Sequence, residues 1–378
     1  MSQLLDKLTT KEGYEKSKAF YQYLRETSFE KGIPLIGSFE LSPRCNLDCK
    51  MCYVHLNNEQ IKHNELTTEQ WILLIDEASA AGMMYATLTG GECLLYPGFK
   101  KIYEHLQSLG VLITILTNGT LLDEEMVEWI AQRSPQRVQI SVYGSSPKGY
   151  EAVTGSADAF YKVDRAIDLV KKAGIPFNLA ITVSKQMFHD FEATIKYCKS
   201  KEPISCDVNT FPFEARKETG RDYISYSLSL DEQVEIFKIR LRNAGKEFIP
   251  YSCEGELLEK SGFPEGEKEG EKGEKTNGIP CTAGRVKFSI SWDGRMLACN
   301  TFDFAEAFPL KDGLNTAWEY INKKSCEYNM PSECSICVYK SVCIPCPAVH
   351  WLYAGEGELN PRVCEEGKRM ALEGIRKL

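Results

Sequence analysis

Six short runs rich in apolar and β-branched residues recur over the first 230 positions, and between them the apolar positions fall at helical spacing. The runs are PLIGSFELS (34–42), MYATLT (84–89), VLITILT (111–117), RVQISVY (137–143), PFNLAITV (176–183) and ISCDVNTF (204–211). They read as mostly apolar on both faces, as buried parallel strands do. TTEQWILLIDEASAAG, GFKKIYEHLQSLG, DEEMVEWIAQ and FYKVDRAIDLVKKAG separate them, several closing at Gly as helices often do. Six βα units in series predict an α/β fold with a parallel sheet and helical crossovers, most simply a partial (β/α)6 TIM-like barrel.

Beyond about residue 230 the alternation stops. FPEGEKEGEKGEKTNG (263–278) is charged and Gly-punctuated, which reads as a solvated linker or flexible flap. The expected divisions are an N-terminal helical extension (1–33), the barrel (34–230), a helical bridge and flexible charged loop (231–280), and a small cysteine-dense α+β domain (281–378). Aromatic positions in GYEKSKAFYQYL have helical spacing and are expected to cover the barrel.

The formal net charge of −8 argues against a general nucleic-acid or membrane-surface binder. The N-terminus lacks a signal-peptide core, and no run approaches the roughly 18 apolar residues of a membrane span. A cytoplasmic protein is expected. Its fifteen cysteines then need a reason, because that compartment keeps thiols reduced, and metal binding is the usual one. Cys45, Cys49 and Cys52 form one group; Cys281, Cys299, Cys326, Cys334, Cys337, Cys343, Cys346 and Cys364 crowd the last quarter. Cys93, Cys198 and Cys206 read as small buried hydrophobes. The five histidines show no ligand spacing, and His105 sits on a predicted helix surface.

CNLDCKMCY (45–53) follows the first predicted strand, at the rim where βα barrels carry their active sites. Three thiols spaced by three and then two residues can wrap a cubane cluster and ligate three of its four irons. A zinc site would want a fourth ligand, and only His55 is near in sequence.

Cys45-x3-Cys49-x2-Cys52 at this position resembles the radical S-adenosylmethionine (SAM) enzymes, whose unique cluster iron is chelated by SAM. TGGEC (89–93) is similar to that family's Gly-Gly-Glu motif, with Cys93 where Pro is usual. The resemblance implies that Gly90, Gly91 and Glu92 contact the SAM amino group, that Asn118 of TNGT and Ser141 of ISVYG lie near its ribose and carboxylate, and that Met51 packs on its adenine side. Tyr143, Asp207, Asn209 and Arg216 fall at or beyond strand ends facing the barrel mouth, so no catalytic base is singled out.

Cys281-x12-Gly294-x4-Cys299, then Cys334-x2-Cys337-x5-Cys343-x2-Cys346 and Cys364, resembles the SPASM domain, which carries two auxiliary 4Fe-4S clusters. The last short spacing is two residues where the family commonly has three. By resemblance Cys281, Cys299 and Cys346 hold the first auxiliary cluster, its fourth position open or filled by Cys326 or Cys253, and Cys334, Cys337, Cys343 and Cys364 hold the second. SWDGRMLACN (291–300) reads as a hairpin turning at Asp-Gly. A zinc-ribbon binding module is the alternative, but it leaves Cys281 and Cys299 unexplained.

The resemblance implies three 4Fe-4S clusters, a 5′-deoxyadenosyl radical that abstracts hydrogen, and net oxidation of a substrate. A ribosomally made peptide is the expected substrate, cross-linked through a thioether or carbon-carbon bond, with flavodoxin or ferredoxin as electron donor. Only about 33 residues precede the first strand, so a leader-peptide-binding protein is expected to be separate. Asn300 stands where the sulfatase-maturing branch has an Asp, which argues against that branch. A small-molecule dehydrogenase or epimerase, and a non-catalytic zinc or iron-sulfur electron carrier, are the alternatives.

Overall fold

The computed structural model describes residues 11–61, 65–209, 219–244, 278–339, 343 and 346–373. Strands β1 (Ile36–Glu40), β2 (Tyr85–Thr89), β3 (Leu112–Thr117), β4 (Arg137–Ser141), β5 (Phe177–Thr182) and β6 (Cys206–Asn209) lie side by side in chain order, every pair parallel. After α1 (Lys11–Lys31), the crossovers are α2 (Thr68–Ala80), α3 (Phe99–Ser108), α4 (Glu124–Ala131), α5 (Pro147–Thr154) with α6 (Asp158–Lys172), and α7 (Phe191–Ser200). Right-handed crossovers in this order put every helix on one face, and the sheet forms the partial barrel that the alternation predicts.

Local chemistry starts these helices where the sequence indicates. Thr67 and Gln70 form a reciprocal capping box before α2, Asp123 caps α4, and Ser146 caps α5 ahead of Pro147. Tyr21 of α1 meets Tyr85 edge-on at 5.2 Å, so α1 covers the N-terminal end of β2.

The two faces of the strands are not alike, which corrects the expectation of strands apolar on both faces. The outer face carries Phe39, Leu88, Ile115, Ile140, Leu179 and Ile181, all fully buried beneath the helices. Pairing aligns Ser38 with Thr87, Thr87 with Thr114, Gln139 with Asn178, Thr182 with Asn209, and Ser38 with Ser289 on the other face. The lumen is therefore lined with hydroxyls and amides. Thr and Ser count as strand formers, so five-residue strands conceal a two-residue alternation.

The barrel sheet does not stop at β1. β7 (Lys287–Ile290) pairs parallel to it, and β8 (Met296–Cys299) and β9 (Phe302–Ala307) follow antiparallel, giving nine strands in the order 6-5-4-3-2-1-7-8-9. The β7–β8 hairpin turns at Asp293-Gly294 as expected, Gly294 having φ 89°. Phe39 is wedged edge-on between Trp71 of α2 and Phe288 of β7, each at 6.0 Å, and Phe288 meets Trp318 of α9 (Leu314–Glu327) at 6.1 Å. One aromatic chain thus joins the barrel to the C-terminal segment. The other long helices of the described residues are α8 (Leu230–Asn243), α10 (Pro347–Ala354) and α11 (Pro361–Leu372), with α11 packed on α8 through Val234, Phe237, Leu241 and Met370. Among the described residues no helix is long and apolar enough to cross a membrane.

Phe39→Ala is expected to cost about 3–5 kcal/mol, a cavity at the junction of both segments. A lowered denaturant midpoint, with tryptophan and far-UV signals falling together, is the outcome to look for.

Candidate functional site

The loop after β1 carries Cys45, Cys49 and Cys52 and is held from three sides. Backbone pairing of β1 with β2 continues past the strands: Leu41 N–H donates to Thr89 O at 2.9 Å, Gly91 N–H to Ser42 O at 2.8 Å and Glu92 N–H to Arg44 O at 2.8 Å. Only glycine permits this. A Cβ on Gly90 would lie 2.5 Å from Ser42 O, one on Gly91 2.4 Å from Arg44 O, and Gly90 has φ 147°. On the second side, Asp48 and Lys50 N–H donate to Thr154 and Val153 O of α5. On the third, Arg221 donates to Asp48 Oδ1 at 2.5 Å and holds that carboxyl below its usual range.

Glu92 is 1 % exposed. Its Oε2 accepts from Asn118 N at 2.7 Å, and its Oε1 from Thr117 Oγ1 at 2.8 Å and Leu94 N at 3.1 Å. Burial raises its pKa against these donors. The side chain ties the ends of β2 and β3 together. Asn118 Nδ2 in turn donates to Asn46 Oδ1 at 2.9 Å and toward Cys45 Sγ at 3.5 Å.

Further N–H groups are directed at the sulfurs: Leu47 N at Cys45 Sγ, 3.4 Å, and His55 N at Cys52 Sγ, 3.3 Å. Tyr143, two residues beyond Ser141 at the end of β4, packs against the main core and meets Tyr150 edge-on at 6.1 Å. Burial pushes the Cys45 thiol up to about 12, and burial with the neighbouring thiols pushes Cys49 higher than normal. Three mutually repelling, buried sulfurs already served by N–H donors suit a strongly cationic group that takes thiolates. Ser141 closes β4, and Met51 lies buried in the main core.

The remaining thiols fall into two further groups. Cys281, Cys299 and Cys346 act electrostatically on one another, Cys299 closing β8 and Cys346 preceding α10. Cys334, Cys337, Cys343 and Cys364 line one cleft that is open to solvent. Gly367 of α11 lets Cys343 approach, because a Cβ there would lie 3.1 Å from the Cys343 Cβ. Among the described residues no three Cys, His, Asp or Glu side chains converge on one ion position. Cys326 sits on α9 with its thiol toward Asn322 Oδ1 at 4.0 Å, and Cys253 lies outside the described residues.

Cys93 and Cys198 are fully buried, as expected of small hydrophobes, whereas Cys206 is half-buried and hydrogen-bonded to Cys198. His105 pairs with Asp76 at 2.6 Å near the surface. Arg216 and His63 lie outside the described residues. Asn300 accepts from the Ser289 hydroxyl. Sequence reasoning missed Arg221, Gly367 and the buried His350, none of which stands in a motif.

Residues 39–198 match the model of the Radical SAM superfamily. The chain is similar to the AdoMet-dependent heme synthase of Methanosarcina barkeri, 25% identical over 345 residues, which cover 85% of this chain and 94% of the relative. It is also similar to the sporulation killing factor maturation protein SkfB of Bacillus subtilis, 27% identical over 290 residues, 76% of this chain and 65% of that one. Its fold matches SuiB of Streptococcus suis bound to S-adenosylmethionine, with TM-score 0.63, 18% identity and coverage of 94% and 83%.

Gly91→Ala is expected to unseat the cysteine loop, with an overpacking cost on the order of 1–3 kcal/mol. The check is anaerobic titration with SAM: binding weakens and iron per chain falls, while the far-UV spectrum is retained.

Proposed function

The chain belongs to the radical SAM superfamily, and on that premise we propose that it is an oxidoreductase with three 4Fe-4S clusters that oxidatively modifies a peptide. The observation that carries this reading is the separation of ten cysteines into three groups, one of them at the C-terminal mouth of the barrel. Cys45, Cys49 and Cys52 would hold the SAM-binding cluster, leaving one iron for SAM. Bound there, cluster and SAM supply one-electron chemistry ending in a 5′-deoxyadenosyl radical that takes hydrogen from carbon.

The chain's own residues supply position and insulation. Gly90, Gly91 and the Glu92 backbone fix the cysteine loop, while Glu92, Thr117 and Asn118 lock the strand ends beneath it. Gly90, Gly91, Glu92, Asn118, Ser141 and Met51 are the residues proposed to meet SAM. Cys281, Cys299 and Cys346, with Cys334, Cys337, Cys343 and Cys364, would hold two auxiliary clusters, which would supply a path for the electron removed from the substrate, and a flavodoxin or ferredoxin would serve as the electron donor.

The lumen favours a peptide. Near the mouth it presents Glu40, Gln139, Ser141, Thr182, Asp207 and Asn209, hydroxyl, amide and carboxylate groups suited to peptide amides. The maturation role of SkfB agrees with a gene-encoded substrate. A small-molecule substrate is the second reading, favoured by the heme synthase relative's 94% coverage. Asn300, in place of the Asp of the sulfatase-maturing branch, argues against that branch.

The test is anaerobic reconstitution followed by mass spectrometry of reactions with SAM and a strong reductant. About twelve irons per chain and release of 5′-deoxyadenosine are expected. Zinc in place of iron, or uncleaved SAM, would sink the reading. Replacing Cys334, Cys337, Cys343 and Cys364 together by Ala should remove about four irons and leave substrate-free SAM cleavage intact. Replacing Cys45, Cys49 and Cys52 should abolish cleavage.

A further inference from the structure

His350 is 1 % exposed and stands on α10, four residues after Cys346. Its Nδ1 accepts from the backbone N–H of Asn360 at 3.0 Å. Asn360 is itself held in place, its Nδ2 bonded to Val349 O at 3.3 Å and its Oδ1 capping α11 through Arg362 N at 3.1 Å. A backbone amide can only donate, so Nδ1 is the lone-pair nitrogen and the ring proton resides on Nε2. Burial keeps the ring neutral by lowering its pKa. The tautomer is therefore set by the fold.

That Nε2–H has no partner among the described residues. A buried donor left unmade is costly, and native structures rarely tolerate one without a reason. His350 lines the same cleft as Cys334, Cys337, Cys343 and Cys364. No other histidine among the described residues borders that cleft.

We propose that His350 donates its Nε2–H to a sulfur of the iron-sulfur cluster held by Cys334, Cys337, Cys343 and Cys364, and so raises that cluster's reduction potential. The inference rests on the reading that these four thiols hold a cluster. A donor to a cluster sulfur stabilises the added negative charge of the reduced state, and such hydrogen bonds are among the protein's main controls on potential. His350 is thus a tuning residue that neither touches substrate nor ligates iron. It would set how readily this cluster accepts the electron leaving the substrate.

The test is EPR-monitored redox titration, with iron analysis, of the anaerobically reconstituted full chain as wild type, His350→Leu and His350→Gln. Leu removes donor and acceptor; Gln keeps an amide that can accept from Asn360 and donate to sulfur. Expected is full iron in both variants. In His350→Leu the reduced-to-oxidised ratio of this one cluster should fall about tenfold at fixed potential, about 59 mV for a one-electron couple. The other two clusters should not move, and His350→Gln should recover part of the shift. If His350→Leu does not fold, a potential for His350→Gln that lies below wild type by less than that amount supports the proposal in its place. An unmoved potential with full iron overturns the proposal. So does loss of about four irons from both folded variants, which would make His350 a ligand. Wild type that binds no iron at the four thiols would instead overturn the cluster reading beneath it.

Discussion

Two loops that lie backbone against backbone hold this site together. Gly90 and Gly91 extend the β1–β2 ladder beyond its strands onto Ser42 and Arg44, at distances that leave no room for a Cβ. The loop bearing Cys45, Cys49 and Cys52 is therefore a continuation of the sheet and inherits its rigidity. Glu92, next in sequence, sinks its carboxylate into donors from β3. That places Asn118 against Cys45. Three strands thus settle the position of one thiol, and the precision needed by one-electron chemistry comes from pairing that the fold makes anyway.

The same continuity reaches the C-terminal thiols. β7 adds to β1, and Phe39, Phe288 and Trp318 bind barrel and extension into one core. α11, which carries Cys364 and Gly367, rests on α8, with Arg369 paired to Asp231 at 2.6 Å and Lys238 to Glu373 at 2.7 Å. Electron transfer between the groups would gain from such fixed spacing, and a sheet that runs through both segments provides it.

Much of this was legible in the chain. All six barrel strands fall within the apolar runs, because runs of β-branched and apolar residues suit a buried parallel strand. The grouping of Cys281 and Cys299 follows from the Asp-Gly hairpin, which brings β8 back beside the start of β7. What was not legible depends on neighbours distant in sequence. The Glu92 carboxylate was expected to meet an ammonium, and only the fold reveals Thr117 and Asn118 beneath it. Arg221 reaches Asp48 across 173 positions, and His350 is oriented by Asn360. The polar lumen was hidden because Thr and Ser satisfy strand propensity while changing the chemistry of the face.

The most direct test of three separate clusters is an anomalous difference map at the iron absorption edge, from crystals of the anaerobically reconstituted protein. Three peaks are predicted: one at Cys45, Cys49 and Cys52 above the C-terminal ends of β1–β3, one among Cys281, Cys299 and Cys346, and one in the cleft of Cys334, Cys337, Cys343 and Cys364. A map with no peak at the barrel mouth, or with zinc at the C-terminal thiols, would contradict the account.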